Sequence, residues 1–142
     1  MDAAESHCKQ AAGEKLEAMG LLAGTAALWQ GAPYVFVDEY ITAENDATAV
    51  SVRFGREAFG ALATKVNEAR SRGKLLVGWA HAHPDYGCFL SGTDVATQRQ
   101  YFGEEFNVAL VIDPVRGQKR VFKLSQDARG YRPAGYAVVA RK

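Results

Sequence analysis

Cysteine is scarce in this chain: two residues, Cys8 and Cys88, among 142. Two cysteines so far apart cannot form a four-cysteine zinc site. The sequence leaves a single bridge between them open, and a reduced, intracellular protein of the cytoplasm is the simpler expectation. A surplus of one charge is also missing, since 17 basic residues face 16 acidic ones for a formal net charge of +1. Without a basic run or stripe, nucleic-acid binding has no electrostatic support. No apolar run is long enough to cross a bilayer, so no membrane association is expected. The stretch from Met1 to Leu16 carries Asp2, Glu5, Lys9, Glu14 and Lys15. That mixture interrupts the apolar core a secretory signal would need.

What is present is apolar mass. Hydrophobic residues make up 48% and charged residues 23%, a balance that predicts a packed core rather than disorder. The length suits one domain over residues 1–142, and no internal repeat, low-complexity segment or linker divides it. The Ala/Glu/Lys/Gln-rich segment from Ala3 to Glu14 predicts a helix, with a thin apolar face of Cys8, Ala11, Ala12 and Leu16. Strands are expected over Ala18 to Trp29 and Pro33 to Ile41. Thr48 to Val52 alternates apolar and polar residues, which suits an exposed strand or a loop able to become one. Phe59, Leu62, Val66 and Ala69 recur at helical spacing, and Gly73 supplies a stop.

The second half of the chain continues the alternation. Lys74 to His83 reads as a strand, Pro84 to Leu90 as a loop and Thr93 to Phe102 as a short helix. Val108 to Asp113 and Arg120 to Leu124 read as strands around a turn. Ser125 to Pro133 reads as a polar loop before a last strand, Tyr136 to Ala140. Interleaved strands and helices predict an α/β fold, a central sheet flanked by helices. Trp29 and Trp79 are expected in packing roles, and His7 on the helix surface.

The chemistry concentrates in Gly78-Trp79-Ala80-His81-Ala82-His83-Pro84 and the residues up to Asp94. His81 and His83 are two apart on an expected strand, so their imidazoles share a face and can hold one metal ion together. Pro84 ends the strand, and Asp94 returns in the first turn of the next helix. Two histidines and a carboxylate leave a fourth position open, the pattern of a catalytic zinc site rather than a closed structural one. Imidazole also suits iron, copper or nickel. A hydrolase built on such a site needs a general base and an oxyanion donor. Ser91, just ahead of the helix, can turn its hydroxyl toward the metal, although Ser91 and Asp94 also spell a helix capping box. For the base, Glu14, Glu17, Asp38, Glu39 and Asp85 all qualify. Glu17 stands out because it directly precedes an apolar run, where burial would raise its pKa.

His81-Ala82-His83-Pro84, six residues, then Ser91 and Asp94 with two residues between, resembles the motif of the JAMM (MPN-plus) zinc metallopeptidases. Glu17-Ala18-Met19-Gly20-Leu21-Leu22 is similar to that family's upstream glutamate segment. The segments Thr48 to Val52, Tyr86 to Gly92 and Val111-Ile112-Asp113-Pro114 are similar to its proteasome-lid deubiquitinase and signalosome isopeptidase branch. An archaeal-type relative of the lid enzyme is the specific expectation.

The resemblance implies an MPN fold with a mixed sheet. It implies one Zn²⁺ on His81, His83 and Asp94, Glu17 as general acid/base and Ser91 as oxyanion donor. It also implies that Val50, Ser51 and Val52 pair with the extended tail of ubiquitin or a ubiquitin-like protein. A proteasomal ATPase or a second MPN-fold subunit would be further partners. Trimming of a ubiquitin-fold sulfur-carrier protein and a non-catalytic scaffold are the alternatives. A zinc nucleoside deaminase would need His-x-Glu and Cys-x-x-Cys, and neither occurs. Three departures stand out. Ala82 replaces the usual Ser or Thr and should point away from the metal face. Phe89 replaces a frequent Trp. A short strand before the first helix is missing, which would leave a sheet edge open.

Overall fold

The computed structural model of the chain describes residues 1–13, 19–41, 56–83, 85–125 and 130–139. In chain order these form α1 (Asp2–Gly13), β1 (Met19–Trp29), β2 (Ala32–Ile41), α2 (Arg56–Ser71) and β3 (Leu75–Ala82). They continue as α3 (Gly92–Tyr101), β4 (Val108–Asp113), β5 (Gln118–Leu124) and β6 (Tyr131–Ala134). The strands make one sheet in the order β2-β1-β3-β4-β5-β6. Its neighbours are antiparallel except β3 and β4, which run parallel. A parallel pair needs a crossover, and α3 provides it between the two central strands. The expected α/β architecture with a mixed central sheet is therefore present.

The sheet has an apolar layer on each face. On one, Ala4 and Cys8 of α1 meet Leu22, Val77, Ala80, Ala82, Leu110 and Ile112. On the other, Ala69 of α2 and Phe102 at the end of α3 meet Met19, Leu21, Trp79 and Val111, with Val95 of α3 against them. Lys119 Nζ to Glu5 Oε1, at 2.5 Å, ties α1 to β5. Gly73 has a positive φ of 80°, and the amides of Gly73 and Lys74 close back on Arg70 and Ala69, so the expected glycine stop of α2 is there.

Two bulges tune the sheet, one in β2, where Asp38 is the extra residue opposite Ala23 and Gly24, and one in β3. The β1–β3 register shifts between Leu22 and Ala23, which leaves Val77 as the extra residue. Leu76 and Trp79 then share a face, and beyond the bulge Trp79 and His81 alternate in step against the α3 side. At the start of the β3–β4 pair, a Cβ on Gly78 would lie 2.0 Å from the Val108 carbonyl oxygen. Only glycine lets the two central strands approach there.

Three expectations fail. The last strand is β6, Tyr131–Ala134, not Tyr136 to Ala140, and it occupies part of the expected polar loop. Residues 135–139 have no regular structure, and Val138 and Val139 are exposed. The apolar run was the stronger strand signal locally. Pairing with β5 and the edge-on packing of Tyr131 on Phe122, 5.1 Å between centroids, chose the other segment. Pro133 fits because β6 is an edge strand. Trp29 is not packed in the core: it is 67% exposed at the β1–β2 hairpin tip. His7 is half-buried, its Nδ1 2.7 Å from the Tyr40 hydroxyl. Both cysteines are free thiols, and burial with Glu5 nearby pushes Cys8 up to about 12.

Candidate metal centre

The site lies where β3 ends beside β4. His81 is in β3, and His83 follows with its amide donating to the Ile112 carbonyl at 2.9 Å. That bond carries the strand path one residue further, so both imidazoles project toward α3. Both are almost fully buried. Their Nε2 atoms are 3.0 Å apart, and Asp94 Oδ2 is 3.0 Å from one and 3.1 Å from the other. Ala82 points to the opposite face, among the α1-side core residues, as expected.

Asp94 is oriented by the start of α3. Ser91 is the N-cap: its Oγ accepts from the Asp94 amide at 3.1 Å, and Asp94 Oδ2 accepts from the Ser91 amide at 2.9 Å. This is the capping box, and it aims the carboxylate at the histidines. The capping role is therefore compatible with a ligand role for the same side chain. Burial alone would raise the Asp94 carboxyl. Contacts to His81 and His83 and the Ser91 N–H outweigh it and hold the group well below the usual carboxylate range. Burial lowers the His81 imidazole, in spite of Asp94. Both shifts favour the forms that bind a cation, neutral imidazole and carboxylate.

Two nitrogens and one oxygen within 3.1 Å of each other are close enough for one ion to touch all three at about 2 Å. Two buried imidazole nitrogens facing each other need a shared proton or cation between them. The donor set thus fits a metal ion, and zinc by its ligand types. Each Nδ1 is buried without a hydrogen-bond partner among the described residues. His81 is held instead by stacking: its ring lies 4.3 Å from that of Trp79 at 10°. Trp79 is buried, stacks on Phe102 and donates its indole N–H to Gln98 Oε1. Phe89 stands 4.8 Å from the His83 ring and is 40% exposed, so it forms an accessible wall.

The base candidates separate. Asp38 and Glu39 pair with Lys74 and Arg72, ahead of β3 and at its opposite end from the histidines. Asp85 is exposed and paired with Arg116. Glu14 and Glu17 lie outside the described residues, as do Val50, Ser51 and Val52. Sequence reasoning missed Trp79 and Gln98 as supports of the His81 ring.

An α/β sheet that presents two histidines and a capping aspartate at the end of a central strand defines a metal-site domain of the MPN type. The chain belongs to the JAB1/Mov34/MPN/PAD-1 ubiquitin protease family, whose model matches residues 2–105. It is 36% identical over 118 residues to the 26S proteasome regulatory subunit RPN11 of Eremothecium gossypii, covering 76% of this chain and 34% of that protein. It is 34% identical over 134 residues to COP9 signalosome complex subunit 5 of Caenorhabditis elegans, covering 89% and 35%. The ubiquitin carboxyl-terminal hydrolase RPN11 of Saccharomyces cerevisiae is 35% identical over 118 residues, 76% of this chain and 35% of that one. The chain thus spans about a third of the length of the curated relatives it matches. The solution structure of protein DSY2949 from Desulfitobacterium hafniense superposes with a TM-score of 0.67 at 23% identity, covering 94% of this chain and 84% of that one.

Proposed function

We propose that the chain is a zinc-dependent isopeptidase that cleaves the amide bond after the C-terminal Gly-Gly of a ubiquitin-like modifier. The observation that carries this reading is the triangle of His81 Nε2, His83 Nε2 and Asp94 Oδ2, 3.0–3.1 Å on each side. Those three side chains would hold the ion. Zinc, when bound, supplies Lewis-acid chemistry and brings the pKa of water from about 15.7 to about 7.

The chain's own residues then divide the work. Glu17 is the general acid/base, taking the proton from water and passing it to the leaving amine. Its place in the chain supports this. Met19 pairs with His81, and a chain of two residues spans at most about 7 Å. Ser91 is the oxyanion donor. Capping uses one lone pair of its Oγ, and a hydroxyl keeps its hydrogen for donation. Val50, Ser51 and Val52 receive the substrate tail by strand pairing. A ubiquitin-like protein and its conjugates are the substrates. A proteasomal ATPase or a second MPN-fold subunit is a natural partner, because the relatives are named as proteasome and signalosome subunits.

The test is incubation of the purified chain with a panel of ubiquitin-like fusions, conjugates and sulfur-carrier precursors, beside Glu17→Gln and chelator-treated protein. Cleavage after Gly-Gly that disappears in both controls is expected. A chain that holds one zinc but leaves every substrate intact points to another substrate or a required partner. A chain that binds no zinc removes the proposal. Ser91→Ala should lower kcat by about 10²–10³-fold while costing only about 1 kcal/mol of stability through the lost cap, separable by kinetics and urea denaturation.

A further inference from the structure

The loop from His83 to Ser91 runs from one candidate ligand to the helix cap that orients another, Asp94, and a buried acid outside the candidate ligand set fastens it. Asp113 ends β4 and is fully buried. Its Oδ1 accepts the amides of Asp85 at 2.9 Å and of Val115 and Arg116 at 3.0 Å, and its Oδ2 accepts the Gly87 amide at 2.8 Å. One carboxylate therefore takes four backbone donors, two from this loop and two from the β4–β5 turn. Two of the loop residues have left-handed backbones, with φ of 63° at Asp85 and 81° at Gly87. Such conformations persist only where the surroundings hold them. The Arg116 Nε bond to Asp85 Oδ1, at 3.0 Å, is exposed and contributes little by itself.

We propose that Asp113 is a positioning residue for the metal centre. Its carboxylate clamps the Asp85–Gly87 backbone and so fixes the approach of the Asp94 side of the site to His83, together with the stand of Phe89 beside that imidazole. This rests on the metal reading above. The two oxygens have separable duties. Oδ1 accepts three amides, and Oδ2 accepts one with the Arg116 Nε 3.6 Å away, so Asp113→Asn keeps its carbonyl toward the Asp85, Val115 and Arg116 amides. Its NH₂ then meets the Gly87 N–H, donor against donor. The β4–β5 turn survives while the Gly87 tether is lost.

The experiment uses the full chain. Zinc affinity is measured by competition with a chromophoric chelator, the cobalt-substituted site is read by its visible spectrum, and the Gly87 amide is followed by hydrogen exchange. In Asp113→Asn, zinc affinity should fall by about tenfold or more, as when supports of metal ligands are lost. The cobalt bands should change intensity, and Gly87 exchange should accelerate by about tenfold. Arg116→Ala removes the exposed pair with Asp85 and the 3.6 Å contact with Asp113 Oδ2 but keeps all four backbone donors, so it should change all three readouts several-fold less than Asp113→Asn. If Asp113→Asn does not fold, Gly87→Ala decides the matter, because it strains the same tether from the loop side at a positive φ. Parent-like zinc affinity and cobalt spectrum in the folded variant would overturn the proposal. A parent chain that binds no zinc fails differently: it overturns the metal reading and this role with it, and Gly87 exchange then reports only whether the clamp exists.

Discussion

β1 joins two regions with opposite characters. At its start, Met19 lies opposite His81, where buried polar groups converge and the described carboxylates are held by backbone amides. At its end, Trp29 pairs with Ala32 in a hairpin that runs past the last β1–β3 contact at Gly24 and Leu75. No residue from Thr25 to Val37 is charged, yet Leu28, Trp29, Phe36 and Val37 are exposed. The two tryptophans show the contrast most directly. Trp79 is 2% exposed and stacks on a metal-ligand candidate, whereas Trp29 is 67% exposed. A side chain's value to the fold follows from what surrounds it, and hydrophobicity alone does not separate these two. Positional accuracy is concentrated at the histidine end, where the proposed chemistry would need it.

Breaking the histidine end should have the largest effect. Asp94→Ala removes a candidate ligand and half of the capping box. Zinc affinity should fall by more than about a hundredfold, beyond what the loss of a supporting group costs, as read by chelator competition. Trp79→Ala should lower stability by about 3–5 kcal/mol in urea denaturation and weaken zinc binding, because His81 loses its stacking partner. Lowering the pH should act more gently on the same region. The folded state holds His81 below 6.5 because of burial, so the unfolded chain takes up the proton first. Stability should be level above about 6.5 and decline as pH falls from there toward the folded value, as read by thermal melts, whereas zinc affinity, read by chelator competition, should hold until the folded imidazole itself takes up a proton at lower pH. At the hairpin, Trp29→Ala should move stability by no more than about 0.5 kcal/mol and leave zinc affinity unchanged. A loss there as large as that of Trp79→Ala would erase the contrast.

Much of the metal end is legible in the amino-acid sequence. The two-residue spacing of His81 and His83 is enough to put both rings on one face, and Ser91 and Asp94 announce a helix start. Each of these relations is local, set by strand or helix periodicity. The hairpin end and the last strand are legible only in part. An apolar run specifies a segment that favours burial without specifying that a partner will cover it. Trp29 therefore reads as packed, and Tyr136 to Ala140 reads as a strand in place of Tyr131–Ala134.

The sequence by itself determined the ligand types, their order and the alternation of strands and helices, because these depend on chemistry and short-range geometry. Tertiary structure decided which carboxylates reach the histidines. It sent Asp38 and Glu39 to Lys74 and Arg72, and it brought Asp113 from the far side of the crossover to the loop after His83. Those assignments depend on strand order and register, which bring together residues distant in the chain, and no local pattern encodes that distance.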